Sequence, residues 1–81
     1  MEIPQKVLDE AKPLLTDISF VEYLGKFKGE DAYILNYKIP VNVGFPFVYL
    51  YKNGRVKTVS GFDSLNILRV FFKDSNKPNI E

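Results

Sequence analysis

Phe47-Val48-Tyr49-Leu50-Tyr51-Lys52-Asn53-Gly54-Arg55-Val56-Lys57-Thr58-Val59 decides the fold class. Two runs rich in β-branched and aromatic residues flank Asn53-Gly54. Such side chains suit a pleated, half-buried surface. The Asn-Gly pair supplies the two positive φ angles that a two-residue type I′ turn requires. The stretch therefore predicts a β-hairpin whose turn sets the register: Lys52 opposite Arg55, Tyr51 opposite Val56, Tyr49 opposite Thr58. The two cations beside the turn are expected to splay into water.

Working upstream, Ile18-Ser19-Phe20-Val21-Glu22-Tyr23-Leu24 and Ala32-Tyr33-Ile34-Leu35-Asn36-Tyr37-Lys38-Ile39 read as a second pair of strands. Lys28-Gly29-Glu30-Asp31 supplies turn chemistry between them. Pro40 closes the second strand, because it has no N–H to give a central ladder. Two hairpins in succession favour an antiparallel meander.

Helices are expected at both ends. Ile3, Val7, Ala11 and Leu14 recur every three or four residues and draw one apolar stripe. Pro4 suits the first helical position, and Pro13 should end or kink the helix near Lys12. Thr16-Asp17 then turns the chain into the sheet. At the other end a helix over about residues 63–73 presents Leu65, Leu68 and Phe72, with Ile67 and Phe71 beside them. Asp63 or Ser64 can cap it. Residues 74–81 have little to bury and are expected to form a loose tail after a domain of residues 1–73.

The reading is thus an α+β fold in the order α-β-β-β-β-α. A four-stranded antiparallel sheet carries the two helices, both expected on one face.

From Val43 to Phe71 the chain resembles the closing β-β-α unit of the thioredoxin fold, most closely along Gly44-Phe45-Pro46-Phe47-Val48-Tyr49-Leu50-Tyr51-Lys52-Asn53-Gly54-Arg55-Val56. That resemblance implies a cis Phe45–Pro46 bond. It implies no redox activity, since the chain has no Cys. The helix-then-hairpin order from Ile3 to Tyr37 is similar to small PepSY-like modules, which implies a binding or inhibitory role.

With 81 residues, no Cys and no His, the chain makes one domain without disulfides or the usual soft metal ligands. A domain of this size buries only about 60% of its unfolded surface, so tight packing or self-association must compensate for a thin core. No basic region followed by an apolar run opens the sequence, and no apolar run approaches the roughly 20 residues of a membrane span. A cytoplasmic location without membrane contact is expected. Net charge is +1, yet residues 1–31 carry −3 and residues 32–81 carry +4. The plain reading is ordinary solvation of two surfaces, although such an asymmetry can steer a partner or a second copy.

Chemistry-bearing motifs are sparse. Without His or Cys, no base stands beside Ser19, Ser60, Ser64 or Ser75, which read as strand, cap or tail residues. Asp9-Glu10 and Glu30-Asp31 are adjacent acids with the look of solvated surface charge. No phosphate-cradling glycine run and no calcium-loop pattern occurs. Catalytic residues, cofactors and metals are accordingly all read as none, and the chain as no enzyme.

What stands out is five Tyr and seven Phe. Alternate strand residues point to opposite faces. Phe45, Phe47, Tyr49 and Tyr51 therefore share one face of the third strand, as Tyr33, Leu35, Tyr37 and Ile39 share one face of the second. Val48, Leu50, Ala32 and Ile34 take the other. If both helices cover the aliphatic side, a tyrosine-rich face is left over. It could be core, a self-association surface, or a platform for single-stranded nucleic acid with Lys38, Lys52, Arg55 and Lys57 on the phosphates. Register argues against the last, because Lys52, Arg55 and Lys57 fall on the face opposite Tyr49 and Tyr51. The expectation is a non-catalytic binding module, a homodimer or a partner of another protein, with Tyr33, Tyr37, Phe47, Tyr49 and Tyr51 as the contact residues; a small-ligand-binding or enzymatic domain ranks behind it and behind nucleic-acid binding.

Overall fold

The computed structural model describes residues 3–39 and 46–80, and side chains as far as Phe72. Helix α1 (Gln5–Ala11) is followed by a 3₁₀ turn (Lys12–Leu14), then strands β1 (Ser19–Phe27), β2 (Glu30–Tyr37), β3 (Val48–Lys52) and β4 (Arg55–Val59), then helix α2 (Gly61–Ile80). The strands form one antiparallel meander in the order β1-β2-β3-β4. This is the α-β-β-β-β-α sheet that the sequence predicts. Pro40 and the Phe45–Pro46 bond lie outside the described residues. A hairpin fills residues 19–37, where the thioredoxin fold needs strand-helix-strand.

The β3–β4 hairpin has the predicted register, with Lys52 opposite Arg55, Tyr51 opposite Val56 and Tyr49 opposite Thr58. Asn53 (φ 53°) and Gly54 (φ 77°) supply the positive angles of the turn. The β1–β2 turn is tighter than expected. Lys28 itself takes φ 52° next to Gly29 at 82°, so Phe27 pairs with Glu30 and both strands run up to the turn. Lys28 Nζ lies 5.4 Å from the centre of the Phe27 ring, a cation–π contact that helps to offset the unusual backbone angle.

The two helices lie on opposite faces of the sheet, which corrects the one-face expectation. Val7 and Ala11 of α1 pack with Tyr33, Leu35 and Tyr49. Ile67 of α2, with Leu68 and Phe71 around it, packs with Ala32, Val48 and Leu50. Strands apolar on both sides leave water-exposed hydrocarbon wherever cover is missing, at about 25 cal/mol per Å². One helix per side removes that cost more fully than two on one side. Two polar contacts hold α1 across β4: Lys6 Nζ donates to Gly54 O at 2.8 Å, and Thr58 Oγ1 donates to Glu10 Oε1 at 3.3 Å.

Three local readings shift. Pro4 is the N-cap of α1 (ψ 141°) and not its first helical residue. The 3₁₀ turn at Pro13 changes the helical phase, so Leu15 packs inward and Leu14 is 39% exposed. In α2 the buried stripe is Ser64, Ile67, Leu68 and Phe71, while Phe72 is 43% exposed. Ser64 is fully buried and its Oγ donates to Gly61 O at 2.7 Å. It is a small residue facing the sheet within the first turn, so it neither caps the helix nor leaves Leu65 on the central line. The helical backbone continues past Lys73 to Ile80.

Close approach of α2 to β1 depends on Gly25. The register of β1 slips between Tyr23 and Gly25, a β-bulge at Leu24. Gly25 has φ 141°, and a Cβ there would lie 2.9 Å from Phe71 Cε1. Gly25→Ala should destabilise the fold by about 1–3 kcal/mol, measured by urea denaturation. Adding Phe71→Leu should recover part of that loss, because it relieves the contact but not the backbone angle.

Candidate functional site

The five aromatic residues that the sequence marks for contact are gathered on the α1 face, two of them buried and three half-buried. Tyr33 and Tyr49 are buried, at 3% and 1% exposure. Tyr37, Phe47 and Tyr51 are half-buried and pack around the same cluster. Helix α1 therefore occupies the surface that the sequence reading leaves open, and these rings supply the thickness of the core between sheet and helix.

Their hydroxyl groups form the most polar part of that core. Tyr23 and Tyr33 pair across the strands with ring centres 5.2 Å apart and planes tilted by 55°. Tyr23 Oη donates to Asp31 Oδ1 at 3.2 Å, and the same carboxylate oxygen meets Lys26 Nζ at 3.1 Å. The Glu30-Asp31 pair is thus divided. Asp31 joins this network on the α1 face, and Glu30 points to the other side with Phe27. Asp9 accepts from Gln5 Nε2 at 3.0 Å, and Glu10 accepts from Thr58. Both acidic pairs carry structural contacts. Among the described residues no group of three or more carboxylates could hold a metal ion.

Three phenols are harder to ionise than an ordinary tyrosine. Burial raises Tyr49 first, with the Glu10 carboxylate and Tyr37 adding to it. Burial also leads for Tyr33, followed by Asp31, Tyr23 and Tyr51. Tyr23 is raised by desolvation and by its hydrogen bond and charge contact with Asp31, against a smaller lowering by Lys26. Tyr49 Oη is buried and finds no hydrogen-bond partner among the described residues.

The two buried serine hydroxyls among the described residues are engaged. Ser19 Oγ donates to Leu14 O at 3.2 Å and accepts from the Thr16 N–H at 2.7 Å, which fixes the turn into β1. Ser64 is bound to Gly61 O, as described. Neither stands beside a base.

Two surface features went unmarked in the sequence. A concavity of about 650 Å³ opens at the turn end of the β3–β4 hairpin, lined from the α2 face by Glu30, Leu50, Lys52, Arg55 and Lys57 and at the β4 edge by Val56. On the side of α2 turned away from the sheet, Phe62 and Val70 are 74% and 58% exposed. The signal for the second was the three- and four-residue spacing of Phe62, Asn66, Arg69 and Val70, masked by the stronger stripe on the opposite side. Among the described residues no helix is long and apolar enough to cross a membrane.

Comparison with protein-family models, curated proteins and solved structures found no match.

Two measurements check the tyrosine core. Tyr49→Phe should leave stability within about 1 kcal/mol of the parent or raise it, since it removes a buried hydroxyl without a partner. Tyr49→Ala should cost about 3–5 kcal/mol. Raised phenol pKa values mean that the folded chain holds protons that the unfolded chain loses near pH 10. The stabilisation they give is full below about pH 10 and falls as pH rises through the folded values. The share of tyrosinate absorbance that belongs to Tyr23, Tyr33 and Tyr49, identified by Tyr→Phe substitution at each, should therefore rise together with loss of circular dichroism in alkaline titration, not before it.

Proposed function

We propose that this chain is a non-catalytic interaction domain that pairs with a second copy of itself through the outward side of α2. The supporting observation is the exposure of Phe62 and Val70 on a helix whose opposite side is anchored by Ser64, Ile67, Leu68 and Phe71. Phe62 and Val70 stand about 12 Å apart along the helix, and large apolar side chains exposed on one side of a helix suit an interaction surface.

The occupant is suggested by the order of residues along that side. A two-fold pairing brings residue i of one copy to residue j of the other and j to i. If two α2 helices cross antiparallel at Asn66, Phe62 meets Val70 and Asp63 meets Arg69, twice each. Apolar faces apolar and acid faces base, with an amide on the axis. Asp63, Asn66 and Arg69 are all exposed. The same pairing gives the domain added burial that a thin core lacks.

The tyrosine face supports self-association less well, because Tyr33 and Tyr49 lie under α1. Base stacking on these rings meets the same obstacle, and Lys52, Arg55 and Lys57 sit on the opposite side of the sheet from them.

Light scattering coupled to size exclusion, over a concentration series, tests the proposal. The parent chain should move from monomer to dimer with concentration, and Phe62→Ser with Val70→Ser should remain monomeric while keeping its circular dichroism. Arg69→Asp should weaken the dimer and Asp63→Arg with Arg69→Asp should restore it. A parent chain that stays monomeric at its highest soluble concentration overturns the reading.

A further inference from the structure

Cross-strand register concentrates positive charge on the α2 face of the β3–β4 hairpin. Lys52 stands directly opposite Arg55, and Lys57 stands opposite Leu50. Arg55 and Lys57 are two apart on one strand, so all three cations and Leu50 share a face. Like charges set directly across a sheet repel. The carboxylate of Glu30 is the acid that shares the lining of this concavity. Asp31 is committed to Lys26 and Tyr23 on the other side of the sheet. Three cations against one carboxylate leave an excess of two positive charges around a floor made by Leu50, which is 6% exposed.

We infer that this concavity is a binding site for a small soluble phosphate monoester whose organic part is apolar. Charge and shape both carry the inference. A phosphate monoester bears about −1.5 to −2 at neutral pH, matching the local excess. It presents three terminal oxygens. The planar guanidinium of Arg55 can engage two of them as a fork, and the ammonium groups of Lys52 and Lys57 can approach from either side. A carboxylate has two oxygens and one charge, and leaves a cation unmatched. The aliphatic stems of Lys52 and Lys57, which border the buried Leu50, offer the apolar group a surface to lie on, and Glu30 disfavours ligands with further negative charge near β2. The volume of about 650 Å³ falls within the range of roughly 300–1,000 Å³ typical of small-molecule sites. Occupancy relieves the repulsion between Lys52 and Arg55, so a bound ligand should also stabilise the fold. The site lies on the hairpin and does not include the outward side of α2, so it stands or falls apart from the dimer.

The test is a titration of the full chain, followed by backbone amide NMR shifts, with phenyl phosphate, inorganic phosphate, benzoate and phenol as probes. Phenyl phosphate should give saturable shifts centred on Leu50, Lys52, Arg55 and Lys57. Its affinity should exceed that of inorganic phosphate, benzoate and phenol. Arg55→Gln and Lys57→Gln should each weaken it about tenfold. Lys12→Gln, which removes the same charge from the 3₁₀ turn, should leave affinity unchanged. Equal weakening by Lys12→Gln would reduce the effect to net charge and overturn the site. Equal binding of benzoate or phenol, or shifts that spread over the surface without saturating, would overturn it too. So would sedimentation with vesicles containing phosphatidic acid in the absence of any phenyl phosphate shift, since that places the charge at a membrane surface.

Discussion

Strands β2 and β3 carry apolar side chains on both faces, and the rest of the structure follows from the need to cover both. Tyr33, Leu35 and Tyr49 point one way; Ala32, Val48 and Leu50 point the other. Two α-helices are present among the described residues, and each face receives one. The covers differ in kind. Helix α1 is short and brings the small side chains Val7 and Ala11 down onto large rings. Helix α2 is longer and brings Ile67, Leu68 and Phe71 down onto small and aliphatic strand residues. Large packs against small on each side, which is how a thin domain fills its volume without voids.

This arrangement explains the five tyrosines, all on the α1 face, without assigning them a ligand. A one-turn cover such as Val7 and Ala11 cannot reach far toward the sheet, so the sheet must reach toward it. Tyrosine does so while its hydroxyl finds the margin, as Tyr23 does at Asp31. Tyr49, at the centre, has no such margin and carries its hydroxyl into the core.

Much of the architecture was legible in the chain. Asn53-Gly54 dictated a turn and a register, and the strand alternation told which residues share a face. Alternation is silent about which helix lands on which face, because both faces of β2 and β3 are apolar enough to accept either. The bulge at Leu24 was hidden because Gly25 reads equally as a strand end. The need for glycine there comes from Phe71, far along the chain and on another element. Ser64 misled for a related reason: its propensity suits a helix start, and only the packed structure shows it serving as a small side chain against the sheet. Of the two surface features, the cationic face of the hairpin was implicit in the register, and its concavity was not. The five aromatic residues share one face, where helix α1 buries Tyr33 and Tyr49 and leaves Tyr37, Phe47 and Tyr51 half-buried around them.

The order of elements has a consequence for synthesis. Helix α1 and the four strands all precede α2, so a growing chain can close the tyrosine side of its sheet before the aliphatic side has any cover. For the interval in which residues beyond Val59 are being made, Ala32, Val48 and Leu50 form an open oily surface on an otherwise folded nascent sheet, a species prone to aggregate. The bulge at Leu24 bends the free edge of β1 during that interval and makes it a poor template for a neighbouring chain. Phe71 then seats against Gly25, and the same backbone irregularity that guarded the unfinished domain becomes the contact that completes it.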